Sequence, residues 1–231
     1  VTTTDRWRRV VAGVGALLLG LLVTGCGESG GPDDSGPAGI EDGGEPADPK
    51  GAEAIAGVEL AARIEVHDDT VRIDYVLTNN SSEQVHVPNR VGRGDEYGRV
   101  AQDSNFVYAT GTADGGVDLS KRVFATPDTD EMAWGHAPTV GVSTVAPGAR
   151  LKESLTVPRP LERHQPWGSD YGHGKVSLPE PVERIRFCLG VLPHPLPPAA
   201  ALHRVADGWE ISHGNVVNAA QHLYCSEPVQ P

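Results

Sequence analysis

The chain has 231 residues, with 19 Lys plus Arg set against 31 Asp plus Glu, for a formal net charge of −12. A phosphate backbone demands the opposite sign, so nucleic acid is excluded as an expected partner. The length allows one ordinary domain once a leader and a linker are set aside.

The chain opens with Arg6, Arg8 and Arg9 against a single Asp5, and residues 10–23 then run without a charge. A bilayer-spanning helix needs about 20 apolar residues, so this shorter run reads as a signal peptide over residues 1–25. It ends in Val23-Thr24-Gly25-Cys26, which resembles the bacterial lipobox. The resemblance implies cleavage between Gly25 and Cys26 and a diacylglyceryl group on the Cys26 sulfur. Membrane lipid is then a partner through Cys26, and the mature protein sits on the outer face of the cell membrane. One acyl chain holds only marginally, whereas two or three anchor stably. With the leader go three arginines and one aspartate, which takes the charge from −12 to −14.

Residues 26–53 follow as lipidated cysteine and linker. From position 27 they hold eight acidic residues, one lysine, four prolines and no aromatic side chain. Such a segment buries too little apolar surface to offset the entropy of ordering, and disorder is expected. Its reach by square-root scaling is roughly 25–30 Å, enough to clear the headgroups.

Residues 54–231 form the expected domain. With Cys26 assigned to lipid, the three cysteines leave Cys188 and Cys225. Outside the cell such a pair is expected to be a disulfide, tying together the last strands. The loop it closes corresponds to a chain-entropy stabilisation of roughly 4 kcal/mol.

Alternation of apolar and polar residues predicts strands over 58–66 and 71–77, with His67-Asp68-Asp69-Thr70 turning between them. Asn79-Asn80-Ser81-Ser82 is a second turn, because Asn and Ser side chains bond their own backbone. It feeds a strand over 84–88, which Pro88 is expected to end or to hold at a sheet edge. Further strands are predicted over 105–109, 117–125 and 138–145. Pro147-Gly148 suits the centre of a type II turn. Strands over 151–157, 182–189 and 209–213 follow, and only 216–223 tempts towards helix. Short strands with turn signals every 8–15 residues predict an all-β, antiparallel β-sandwich with long decorated loops.

The run Val71-Arg72-Ile73-Asp74-Tyr75-Val76-Leu77-Thr78-Asn79-Asn80-Ser81 resembles the opening hairpin of immunoglobulin-like domains in bacterial surface lipoproteins, and Pro147-Gly148 with residues 151–157 resembles a later turn and strand of them. Leader, linker and sandwich together resemble uncharacterised lipoproteins of high-GC Gram-positive bacteria. That resemblance implies an immunoglobulin-like fold and no particular activity.

Chemistry is sparse. There is no Gly-x-Ser-x-Gly elbow, no His-Glu-x-x-His pair and no Gly-rich phosphate loop, so the chain is read as a non-enzyme without a cofactor. Nine histidines, seven of them at or beyond His136, keep zinc or copper as alternatives, although no spacing puts two rings together on one element. Whether they hold a metal is left unknown. Asp128-Thr129-Asp130-Glu131 offers carboxylates to calcium but lacks the Gly and terminal Glu of a calcium loop.

The glycine-bearing loop around Trp167 and Tyr171, flanked by His164 and His173, supplies the candidate ligand-binding residues. Aromatic side chains at loop tips are energetic anchors in recognition. The competing reading has Trp167 as a plug over the sandwich end, and Trp134 and Trp209 are expected to be core or rim packing. The functional expectation is a non-catalytic interaction or structural module of the cell envelope, with a cell-envelope protein as partner. The alternative is a small-ligand or metal-binding lipoprotein.

Overall fold

A computed structural model describes residues 54–94, 100–127, 136–168 and 177–231. The leader, Cys26, the linker, Asp128 to Glu131, Trp134, Tyr171 and His173 lie outside the described residues.

The strand β2 (Thr70–Asn79) shows how the alternation works: Val71, Ile73, Tyr75, Leu77 and Asn79 are buried while the residues between them are not. It pairs antiparallel on one side with β1 (Val58–Val66), across the His67–Thr70 turn, and on the other with β8 (Arg150–Pro158). The predicted turn before β8 is present, with Ala149 N–H donating to the Ala146 carbonyl at 3.0 Å and Gly148 at φ 75°. Positive φ at the third turn position is the conformation that selects glycine there.

A second sheet has the order β10-β11-β7-β3-β4, with β3 (Val85–Gly94), β4 (Val100–Asp103), β7 (Thr139–Val145), β10 (His203–Val205) and β11 (Gly208–Ser212). A third has the order β12-β9-β6-β5, with β5 (Tyr108–Gly111), β6 (Gly116–Lys121), β9 (Arg184–Val191) and β12 (His222–Cys225). The described part of the protein is therefore nearly all-β. Pairing is antiparallel except between β6 and β9, which run parallel, a departure from the expected antiparallel plan.

One helical turn and a half, α1 (Asn215–Ala220), precedes β12. The segment 216–223 thus divides, its first part helical and its end a strand. Gln221 marks the break. Its buried side chain accepts from Val123 N–H at 3.0 Å and donates to the Val123 carbonyl at 2.5 Å, supplying what a neighbouring strand would otherwise provide.

Pro88 does not end its strand. It lies inside β3, which has β7 on one side and β4 on the other, and the β3–β7 register shifts between Val87 and Arg90. An irregularity of this kind absorbs the missing proline N–H and lets the strand continue. The short β4 and β10 carry no sequence signal of their own, and residues 122–125 leave the ladder after β6.

Apolar faces from all three sheets enter one core. Val71, Ile73, Tyr75, Leu77 and Leu155 pack with Val85 and Val87, and with Val117, Leu119, Ile185, Phe187 and Leu189. A polar knot lies where the sheets meet. Lys121, fully buried at the end of β6, sends Nζ to Glu153 Oε2 of β8 at 2.7 Å and also donates to the Ser104 carbonyl. Asn89 of β3 donates Nδ2–H to Glu153 Oε1 at 2.6 Å, and the Tyr75 hydroxyl donates to Glu153 Oε2. Burial, reinforced by the Glu153 charge, keeps the Tyr75 phenol protonated.

The disulfide Cys188–Cys225 joins residues that face each other across β9 and β12, with a Cα–Cα distance of 4.1 Å. The expectation that the last strands are tied together is met.

Asn79 is the most heavily used turn residue. Its buried Nδ2 donates to the Glu83 carbonyl at 2.8 Å and to the Val145 carbonyl at 2.9 Å, while Oδ1 accepts from Ser81 N–H at 3.1 Å and from Ser81 Oγ at 2.6 Å. Replacing Asn79 with Ala strands several of these groups, and the unfolding free energy is expected to fall by about 3 kcal/mol. Urea denaturation checks this as a lower midpoint at unchanged slope; a loss below about 1 kcal/mol would show that the side chain does not hold the turn.

Candidate functional site

Strand β5 continues into structure that the sequence presents as loop. His164 pairs its backbone with Ala109 of β5 through two 2.9 Å hydrogen bonds, one in each direction. This docks the 163–168 segment against the end of the sheet. Gln165 then donates Nε2–H to the Gly168 carbonyl at 2.8 Å, and Gly168 adopts φ 83°, a tight turn that sends Trp167 inwards.

Trp167 is 2% exposed and clusters with Val91, Tyr108 and Phe124. The structure places it as a plug beneath the loop. Trp209 is 40% exposed on β11, with the Arg204 guanidinium 5.7 Å from its ring centre. Rim packing describes it.

Above this aromatic floor opens a cleft of about 690 Å³, lined by Gly92, Tyr108, His136, Pro138, Arg163 and His164, among others. The His164 ring stacks on Tyr108, centroids 5.4 Å apart and planes 17° from parallel, and leans on Phe106 at 4.7 Å. Below, the Tyr108 hydroxyl lies 2.9 Å from His213 Nε2, and His213 Nδ1 accepts Phe124 N–H at 3.0 Å. Because Nδ1 is an acceptor, the ring proton of the neutral imidazole sits on Nε2 and is donated to Tyr108.

Burial keeps the titratable rings of the floor neutral. Desolvation holds the His213 pKa down to about 3, with Arg122 adding to the effect. His164 is lowered by burial, partly countered by the Gly92 backbone, and burial raises the Tyr108 phenol above its usual range. At neutral pH the floor is therefore a protonated phenol and two neutral imidazoles. The lone pair of His213 is already engaged by the main chain, so the arrangement is better suited to holding a ligand than to moving its protons.

Of the four candidate ligand residues, His164 lines the cleft and Trp167 underlies it, while Tyr171 and His173 lie outside the described residues. The sequence reading missed Tyr108, which the predicted 105–109 strand contains without marking it as a site residue, and His213, whose partners are 105 and 89 residues away.

A second pair of histidines meets elsewhere. His86 Nε2 lies 3.4 Å from His194 Nδ1, Gln84 Nε2 is 3.3 Å from the same nitrogen, and His86 Nδ1 contacts Thr144 Oγ1 at 3.1 Å. Among the described residues, no three His, Cys, Asp or Glu side chains converge as a metal site.

The depressed His213 pKa fixes a sign. The folded imidazole binds a proton only near pH 3, the unfolded one near 6.5, so its contribution to stability is complete above about pH 6.5 and is lost as pH falls below it. His86 and His164, both lowered, act in the same direction. In His213→Gln the decline of unfolding free energy between about pH 6 and pH 4 should be shallower than in the wild type by up to about 1.4 kcal/mol per pH unit. Urea titrations at stepped pH give both slopes, and equal slopes would assign the acid sensitivity to other groups.

Comparison with protein-family models, with curated proteins and with solved structures gives no match for this chain.

Proposed function

We propose that this protein is a lipid-anchored, extracytoplasmic interaction module: an immunoglobulin-like β-sandwich, held to the outer face of the membrane through Cys26, that receives part of a cell-envelope partner in the cleft beside His164 and Tyr108. The cleft is the observation that carries the reading. A stacked aromatic–imidazole wall gives a flat apolar contact, and His136 and Arg163 bring polar groups to the same concavity. Recognition surfaces combine these two features, with aromatic anchors supplying energy and polar groups supplying register.

Three observations support the remaining parts. The Cys188–Cys225 disulfide belongs to an oxidising compartment, in keeping with export. Layered, mainly antiparallel sheets around a shared core support the sandwich. The neutral, internally engaged His213 and Tyr108 support binding without catalysis. A small ligand is the second reading, favoured by the cleft volume, which falls within the roughly 300–1,000 Å³ of small-molecule sites.

Two measurements test the proposal. Cys26→Ala is expected to move the protein from the membrane to the soluble fraction, and retention in the membrane would overturn the lipid anchor. A photo-cross-linking residue in place of the exposed His136 is expected to trap one defined envelope protein in cells, with the yield falling at least several-fold in His164→Ala. Failure to trap a protein, together with thermal stabilisation by a small envelope metabolite that His164→Ala abolishes, would replace the interaction reading with the small-ligand one.

A further inference from the structure

The polar knot between the sheets combines an amine, a primary amide and a carboxyl group, each contributed by a different sheet: Lys121 from β6, Asn89 from β3 and Glu153 from β8. We propose that Lys121 and Asn89 condense spontaneously into an internal amide cross-link, with Glu153 carrying the protons.

The geometry gathers the three groups of that reaction around one carboxylate. Lys121 Nζ is 2.7 Å from Glu153 Oε2, and Asn89 Nδ2 is 2.6 Å from Glu153 Oε1. The attacking nitrogen and the departing nitrogen are thus held on the two oxygens of one carboxylate. Confinement of this kind replaces a collision between separate molecules with an intramolecular step. Asn89 is 2% exposed, and its Oδ1 is buried without a hydrogen-bond partner. The amide carbonyl is therefore present in the core without being used by the fold. A buried ion pair is seldom better for stability than apolar residues of the same volume, so a fully buried lysine paired at the junction of the sheets calls for another role.

The step balances without any co-reactant. Glu153 takes a proton from the Lys121 ammonium, leaving an amine with a free lone pair and a neutral carboxyl. Nζ attacks Asn89 Cγ and forms the new C–N bond. The carboxyl group gives a proton to Nδ2 as the Cγ–Nδ2 bond breaks, and receives one from the attacking nitrogen. Ammonia leaves and departs protonated, and Glu153 is again a carboxylate. In sum, a lysine ammonium and an asparagine amide become a secondary amide and an ammonium ion.

The surroundings favour the first proton transfer. Burial pulls Lys121 towards its neutral form, opposed by the Glu153 charge. Tyr75 faces Glu153 directly across the β2–β8 pair and donates its hydroxyl to the carboxylate, fixing the orientation of the group that must serve both nitrogens. Lys121 and Asn89 are 0% and 2% exposed, which shields the amide from competing hydrolysis, while the Glu153 side chain keeps 15% of its surface exposed.

Peptide mapping of the full chain by mass spectrometry, after reduction and trypsin digestion, decides the matter. Cleavage at a linked Lys121 is blocked, so residues 73–90 are expected to appear joined to residues 100–122, about 17 Da lighter than the two peptides together because ammonia is lost. Separate peptides 73–90 and 100–121 from the folded wild type, at full mass, would overturn the proposal. Lys121→Met and Asn89→Ala should each give no joined peptide. Glu153→Gln, which keeps the shape but offers one acceptor oxygen in place of two and cannot shuttle a proton, should form no link; a link formed there at wild-type yield would remove Glu153 from the reaction.

Discussion

The Lys121–Glu153 contact is the constraint around which the described structure is arranged. A lysine taken wholly out of water, with no opposite charge within reach, would not stay charged and would weaken any core that held it. The fold therefore has to bring β8 to β6, and it does so by laying the β1-β2-β8 sheet over the β12-β9-β6-β5 sheet. Tyr75 and Asn89 then occupy the remaining acceptor capacity of the carboxylate, which places β2 and β3. Removing either charged partner alone leaves the other uncompensated, and such losses cost about 3–5 kcal/mol in buried pairs. The apolar residues around the pair supply most of the driving force, while the pair sets how the sheets are registered against one another.

That constraint was legible in the sequence, though only by parity. Lys121 is in step with Val117 and Leu119, Glu153 with Leu151 and Leu155, Tyr75 with Ile73 and Leu77, and Asn89 with Val85 and Val87. Each polar residue thus stands on the core face of its own strand. A reading that counts apolar positions passes over such residues as imperfections in the alternation. The strands themselves were recoverable wherever the alternation was long, as in β2 and β8. They were lost where three or four residues pair only because a longer neighbour offers an edge, as in β4 and β10. Pro88 was misplaced for a related reason: the chemistry of proline forbids a ladder bond, and only the partner strand reveals that a register shift accommodates it.

The cleft was less legible than the fold. The loop around Trp167 carried the signal of an aromatic recognition element, but an aromatic ring in a glycine-bearing loop can face either way, and the Gln165–Gly168 hydrogen bond that turns it inwards is a local detail. Its floor is assembled from Tyr108, Phe124 and His213, which come from separate parts of the chain and meet through tertiary packing. The disulfide was the most accessible long-range feature, since it followed from counting cysteines once one of the three had been given to lipid.

The way the chain enters the domain has a mechanical consequence. Ile55 donates its N–H to the Tyr224 hydroxyl at 2.7 Å, and Tyr224 lies next to Cys225, which is bonded covalently to Cys188 on β9. A pull on the segment before Ile55 is therefore shared between the β1 ladder and a strand pair that cannot slide apart while its sulfur bond is intact. With that bond reduced, β12 is held to β9 by the ladder of four residues, backed by Ser226 N–H to the Phe187 carbonyl and by the Ile185–Val229 bridge, so the same load would bear on non-covalent contacts alone. The disulfide thus acts as a mechanical clamp beside the point where the described chain enters the domain.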